Sequence, residues 1–460
     1  MKTSRLLSLT IFLSAIAPTI LLSQSLKIKS VRIWDSEKAN FGPVSDLEVQ
    51  KGKVHSITLS KDVQNPQFIL PGFCDASVTL GANSLGGKSS REDIPQRLQG
   101  FLAAGFSHVE SVGDPDLGPL LSEIQKSKWN SPILSQTQRP IVYDAITLET
   151  TAQYQSGFPK GKDSKRNFHT PIFLKEKDGE GFSQTDLFQF RKDSEARGEM
   201  PIVYTFADKT SWEDALDTGF STIFHPMPKG TNLARMQTRD FYWSPMMATL
   251  YLPALKAQGL EAKSEWEDWS KSHALYRDVW KSQWESGLSE SADENLTTLA
   301  MYEDAVSTFK ALSPNSKLLF ASGSGHYGLF PGQAAIVEIG IWEKTFPKSK
   351  TQSQSFYGSE KIGFFTRFFG SRQRQIRKVA DDPETLFGVR RAIIQILTKD
   401  TCQFLGANHA GVLKVGSFAH FSIWKENPLK RREGIFPIES MVLGGKLVYT
   451  HKPQREGTAK

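Results

Sequence analysis

Cysteine is nearly absent from this chain, with Cys74 and Cys402 the two in 460 residues. That scarcity excludes a disulfide framework as the source of the fold, and the pair reads as two buried thiols rather than a bridge. No cysteine follows the apolar amino-terminal stretch, so lipid attachment at a leader cysteine has no acceptor. No glycine-rich phosphate fingerprint follows an early strand, which argues against nucleotide binding on a doubly wound sheet. A GxSxG nucleophile elbow is missing as well, leaving Ser77 without the setting a serine nucleophile needs.

What is present bounds the class. With 39% hydrophobic residues the chain can bury a large core, in one big domain with a smaller companion or in two medium ones. Residues 1–25, "MKTSRLLSLTIFLSAIAPTILLSQS", begin with Lys2 and Arg5, continue apolar, and close on Ser23 and Ser25. This is the pattern of a cleavable export signal, predicting a periplasmic or secreted protein. The competing reading is an uncleaved amino-terminal membrane anchor, although the apolar stretch is near the low end of the roughly 17–25 residues a span needs.

After the leader, "LKIKSVRIWDSE" and "DLEVQKGKVHSITLS" read as strands, the latter a pair turning at Lys51-Gly52-Lys53. Strands return near the carboxyl end in "GVLKVGSFAHFSIWKENPL" and "ESMVLGGKLVYTH". Between these clusters, apolar bursts such as "FILPGFCDA", "GFSHVESVG", "MPIVYTFAD" and "SKLLFASGSG" alternate with helical stretches. The helical stretches "REDIPQRLQGFLAAG", "QTDLFQFRKDSEARG" and "SWEDALDTG" each end at glycine, as helices often do. Repeated strand-helix units favour an α/β fold with a parallel barrel, whose active residues sit at the carboxyl ends of the strands; an open sheet is the alternative. In "FILPGFCDASVTLG", Asp75, Ser77 and Thr79 fall at alternate positions and so share one face of a strand.

Taken in order, these segments resemble the amidohydrolase superfamily, its imidazolonepropionase-like and prolidase-like branch in particular. "LPGFCDASVTL" is similar to that family's "PGLIDAHVHL", and "GFSHVESVGD" to "GVTTVRD". "MPIVYTFADKTSWEDALDTGFSTIFH" keeps the family spacing between histidines on the fifth and sixth barrel strands. "TKDTCQFLG" and "GVLKVGSFAHFSIWKENPL" resemble its closing helix and return strand. The resemblance implies a (β/α)8 TIM-like barrel over residues 71–410, beside a small composite β-sandwich from residues 26–70 and 411–455.

Family members bind divalent metal through two histidines on strand 1, a carboxylated lysine on strand 4, histidines on strands 5 and 6, and an aspartate on strand 8. Here those positions fall on Ser77, Thr79 and Thr205, with Gly325, or Ser324 on a shift by one, in place of the aspartate. His225 keeps the strand 6 position, and Lys175 stands as the candidate on strand 4. Hydroxyls do not replace imidazole or carboxylate as zinc donors, and without the ion nothing obvious lowers the pKa of a water. The resemblance thus implies a pseudoenzyme that has lost its metal site and works by binding a small-molecule ligand or as a scaffold. The alternative is a working hydrolase of C–N bonds with a weakly bound or atypical zinc.

The candidate catalytic residues are His225, Lys175 and Asp75. His225 is open to roles as general base, substrate contact or hydrogen-bonded relic. Lys175 carries charge into the cavity or pairs with Asp75, since a buried ammonium is costly alone. His326 beside Gly325 is a further candidate for an adventitious metal held with His225 and Asp75. Residues 345–381 have no counterpart in the resemblance. Within them, residues 348–378 hold eight basic side chains against the one acid Glu360, a net of +7; the leader adds +2, and the whole chain is at +7, so the remainder is at −2. Phe364, Phe365, Phe368 and Phe369 recur there at helical spacing. Such a segment either packs as a lid or lies on an anionic membrane surface, and nucleic acid is not an expected partner.

Overall fold

The computed structural model describes residues 25–80, 94–112, 118–137, 141–142, 168–174, 181–232, 241–257, 292–311, 317–325, 329–346, 383–407, 410–431 and 435–451. Residues 1–24 of the leader, Lys175, His326 and the basic-aromatic stretch 348–378 lie outside them.

Strands from both ends of the chain build one sheet. β1 (Leu26–Asp35), β2 (Asn40–Gln50), β3 (Lys53–Leu59) and β4 (Gln67–Pro71) supply its first half. β2 and β3 are joined by Lys51 and Gly52 alone, both at positive φ, a two-residue hairpin turn whose twist suits the strands. The parallel part begins with β5 (Phe73–Val78), α1 (Ile94–Ala103), β6 (Phe106–Ser111), α2 (Gly118–Ser127), β7 (Ile133–Gln136) and β8 (Ile141–Val142). It continues through β9 (Phe168–Phe173), α3 (Gln184–Ala196), β10 (Glu199–Tyr204), α4 (Lys209–Asp217), β11 (Thr222–Phe224) and β12 (Tyr242–Ser244). α5 (Ala248–Ala257), α6 (Ala292–Lys310), β13 (Lys317–Leu318), α7 (Gln333–Thr345) and α8 (Pro383–Gln395) follow, and a π-helical turn, Ile396–Asp400, leads into the short α9 (Thr401–Phe404). β14 (Phe421–Trp424), β15 (Ser440–Leu443) and β16 (Lys446–Thr450) then return to the first sheet, whose order is β16-β15-β14-β4-β1-β2-β3.

Where the sequence suggests a sandwich, the described strands form this single seven-stranded sheet. Its free edge bends back on the chain leading into β14: Val54 N–H donates to Ser417 O at 2.9 Å and Ala419 N–H to Gly52 O at 2.9 Å. The curl encloses Val31, Leu47, Val49, Val54, Ile69, Phe421 and Val442. The remaining strands form two parallel sheets, β5-β6-β7 and β8 through β13 in sequence order. The two meet where β5 runs beside residues 320–324, with Ala76 N–H on Phe320 O at 3.0 Å, Thr79 N–H on Ser324 O at 2.7 Å and Gly323 N–H on Ser77 O at 3.1 Å. No ladder joins β7 to β8 among the described residues, so these strands do not close into a barrel.

Alternation along the parallel strands divides the core in two. Val203, Ile223, Trp243 and Phe320 pack with Trp212, Phe309 and Trp342 of the helices. Ala76, Ile202, Tyr204, Phe224, Leu319 and Ala321 cluster on the other face with Phe404 of α9. The helices begin where local chemistry satisfies their first amides: Ser183 and Asp186 form a reciprocal capping box at α3, and the Asp208 carboxylate accepts from Ser211 N–H at α4.

One expectation is overturned here. Cys74 and Cys402 are not free thiols but are bonded to each other, their Cα atoms 5.3 Å apart across a sequence separation of 328. The first parallel strand and the last helix meet only in the folded molecule, through a contact that no local pattern announces.

Candidate functional site

The polar face of β5 folds as its alternation predicts, but its groups are already engaged. Asp75 is fully buried; its Oδ1 accepts from Ser77 N–H at 3.2 Å and Ser322 N–H at 3.0 Å, while Oδ2 has no hydrogen-bond partner. Burial outweighs those hydrogen bonds and pushes the Asp75 carboxyl up to about 7. The Ser77 hydroxyl accepts from the Tyr204 phenol at 3.1 Å. The Thr79 hydroxyl donates to Val112 O at 3.1 Å, and the buried Arg97 of α1 holds the carbonyls of Thr79 and Leu80 at 3.0 and 2.6 Å.

Thr205 directly follows β10, and its hydroxyl donates to Phe224 O at 3.5 Å. Phe206 and Ala207 then take positive φ, which helps direct the Phe206 amide at the ring of His225: Phe206 N–H donates to His225 Nδ1 at 2.9 Å. A neutral imidazole that accepts at Nδ1 carries its hydrogen on Nε2. His225 itself sits at φ 101°, a region costly for a side chain with a Cβ, and its backbone is held on both sides. Its N–H donates to Ser244 O at 3.0 Å, and its carbonyl accepts from Trp243 Nε1 at 2.9 Å.

On the chain beside β5, the Ser322 and Ser324 hydroxyls pair at 2.7 Å. Gly325, with φ +98°, could not carry the aspartate of the family resemblance, because a Cβ there would run into the Thr79 carbonyl oxygen. The structure therefore brings Asp75, Ser77, Ser322 and Ser324 together with Tyr204, and Tyr204 in turn packs beside His225, ring centroids 5.5 Å apart. Lys175 and His326 fall outside the described residues, among which no group of three or more His, Cys, Asp or Glu is placed to hold a metal ion.

Three residues at this site escape sequence reasoning. The buried Tyr204 reaches across from β10 to β5; burial pushes its phenol far up, reinforced by the charges of Glu110 and Asp75. Glu110 of β6 and His169 of β9, both buried, meet with Oε2 and Nδ1 2.7 Å apart. The other ring nitrogen, His169 Nε2, is buried and has no hydrogen-bond partner. The His169 ring lies flat on Phe404, centroids 4.5 Å apart and planes 10° off parallel. The available signal was a lone carboxylate in a strand that is otherwise buried, since such a group needs a partner; the partner itself, far along the chain, is not legible.

No family model matches the chain, and none of the curated proteins matches its sequence. Solved structures do. A Xaa-Pro dipeptidase with methionine bound in its active site superposes with a TM-score of 0.61 at 14% identity, covering 93% of this chain and 100% of its own. The ochratoxinase of A. niger gives 0.56 at 10% identity, over 92% of this chain and 95% of its own. A molinate hydrolase gives 0.55 at 11% identity, over 92% and 94%. The chain has the fold of prolidase- and amidohydrolase-like proteins.

Proposed function

We propose that this chain is an exported member of the amidohydrolase superfamily that has lost its metal site and acts by binding a small ligand or as a scaffold. On this reading its two parallel sheets correspond to the (β/α)8 barrel of that superfamily, with no ladder joining β7 to β8 among the described residues. The observation that carries the reading is the state of His225. The one retained ligand position accepts a backbone amide at Nδ1, so its Nε2 bears a hydrogen and offers no lone pair to an ion. The hydroxyls at the other aligned positions are engaged too: Ser77 with Tyr204, and Thr79 and Thr205 with main-chain carbonyls. This donor set does not fit a divalent metal. Export is supported by the buried bridge between Cys74 and Cys402, since such bonds persist in oxidising compartments.

The test is the metal content of the purified protein, followed by a panel of N-acyl amino acids, prolyl dipeptides and cyclic amides. We expect no metal above background and no turnover; stoichiometric metal with turnover would overturn the reading. A second reading, hydrolysis of a C–N bond with atypical metal dependence, draws on the buried, unpartnered His169 Nε2 and on Asp75 titrating near neutrality. Turnover abolished by Asp75→Asn or His169→Gln would favour it. The segment 348–378 is proposed to pack as a lid, with an anionic membrane surface as the alternative; no binding to phosphatidylserine vesicles at low salt is the expected result, and salt-sensitive binding lost on deleting the segment would favour the membrane.

A further inference from the structure

Cys74 and Cys402 are the chain's two cysteines, they are bonded, and both are at most 1% exposed. Their bridge sits at a particular place. Cys74 precedes Asp75 on β5, the first strand of the parallel part, at the seam where β5 meets residues 320–324. Cys402 lies in α9, whose Thr401 hydroxyl accepts from Phe320 N–H at 2.9 Å and whose Phe404 stacks on His169. The bond thus fastens the first and last pieces of the α/β region to each other.

Two consequences follow from chemistry. A chain with two cysteines has one intramolecular pairing, so it needs oxidation and no reshuffling. The two sulfurs also become available at different times: Cys74 is made 328 residues before its partner, and once the seam has closed neither sulfur is open to solvent. Oxidation must therefore occur while the seam is open, and Cys74 must wait.

We infer that the chain is a client of a dithiol–disulfide oxidant, which captures Cys74 first and transfers the bond to Cys402. In the first step the Cys74 thiolate attacks the oxidant's disulfide; a Cys74–oxidant bond forms, the oxidant's own S–S bond breaks, and its second sulfur leaves as thiolate. In the second, the Cys402 thiolate attacks Cys74 Sγ, the mixed bond breaks, and the first oxidant sulfur leaves as thiolate. The chain loses two electrons and two thiol protons, and the oxidant gains the electrons and is released as a dithiol. The inference rests on the export reading for the place where the oxidant acts.

Trapping tests it. The full chain with its leader is expressed in an exporting host, quenched in acid, alkylated with N-ethylmaleimide and read by intact mass and non-reducing gels. The wild-type chain should carry no maleimide. The Cys402→Ser chain should accumulate a protein-sized, reducible adduct on Cys74, and Cys74→Ser should lose it; because the readout is covalent, a variant that fails to fold still reports. Two alkylated thiols in an exported wild-type chain, or adducts on Cys402 equal to those on Cys74, would overturn the inference. If the leader is retained and the chain stays inside, the export reading has failed by itself. Refolding the reduced protein with glutathione disulfide then decides the pairing: one internal bridge sustains it, and two free thiols or two glutathione adducts sink it.

Discussion

At the scale of single residues, Asp75 should dominate the pH response of the site. Its folded carboxyl titrates at about 7, against an ordinary 3.8 in the unfolded chain. Between those values the folded state binds the proton more tightly, so Asp75 adds stability at acid pH, and that contribution falls as pH rises from about 4 to about 7. The full difference is on the order of 4 kcal/mol for a shift of this size. Asp75→Asn cannot ionise and should gain stability relative to the natural protein across that window. Urea unfolding at the two ends of the window measures it, and a constant difference between the proteins would mean that Asp75 is not buried as described.

Gly325 makes the second residue-scale case. The sequence presents it as a missing aspartate, whereas the structure makes it a glycine required by the close approach of the Thr79 carbonyl and by its own positive φ. Gly325→Ala should therefore destabilise the fold by about 2 kcal/mol or more, read as a lower denaturation midpoint. An unchanged midpoint would show that the two segments do not approach as described. That the aligned positions carry hydroxyls and a glycine is read directly from the sequence. What occupies the space around them is not, because Tyr204, Glu110 and His169 gain their meaning from partners on distant strands.

At the scale of elements, strand and helix order was readable from periodicity and glycine punctuation, but the assignment of strands to sheets was not. "FILPGFCDA" reads as one burst, yet it divides at Gly72 into β4 of the seven-stranded sheet and β5 of the parallel part. A Cβ at Gly72 would meet the Ser107 side chain, so the break is a packing requirement that only the neighbouring strand reveals. The same junction carries two histidines. His108 of β6 and His420 before β14 pack edge to face, centroids 5.7 Å apart, and His420 Nδ1 accepts from Gly444 N–H at 3.1 Å. Burial holds His420 down at about 4 and His108 at about 3, the latter with help from the His420 charge. Unfolded histidines take up protons below about 6.5, so this junction loses stability as pH falls from there toward 3–4. His420→Gln keeps an acceptor for Gly444 without the charge and should move the acid unfolding midpoint to lower pH; a midpoint moved upward would assign acid lability elsewhere.

At the scale of the whole molecule, the bridge from Cys74 to Cys402 closes a loop of most of the chain, and its contribution should be sought in the unfolded state. Cross-linking residues 328 positions apart removes a large share of the unfolded chain's freedom, and removing a native bridge typically costs about 2–5 kcal/mol. Cys74→Ser/Cys402→Ser should unfold at correspondingly lower denaturant. The same bond should be inert in the native protein, because both sulfurs are buried and a thiol reductant must reach one of them in line. Dithiothreitol added to the native protein should leave the bridge intact, and added with denaturant it should cleave the bridge as unfolding proceeds. Thiol labelling against denaturant concentration separates the possibilities. Labelling that tracks the global unfolding transition places the bond in the core of the fold, whereas labelling well below that transition would mean that α9 and β5 part locally and that the seam between the first and last strands is the weakest joint in the molecule.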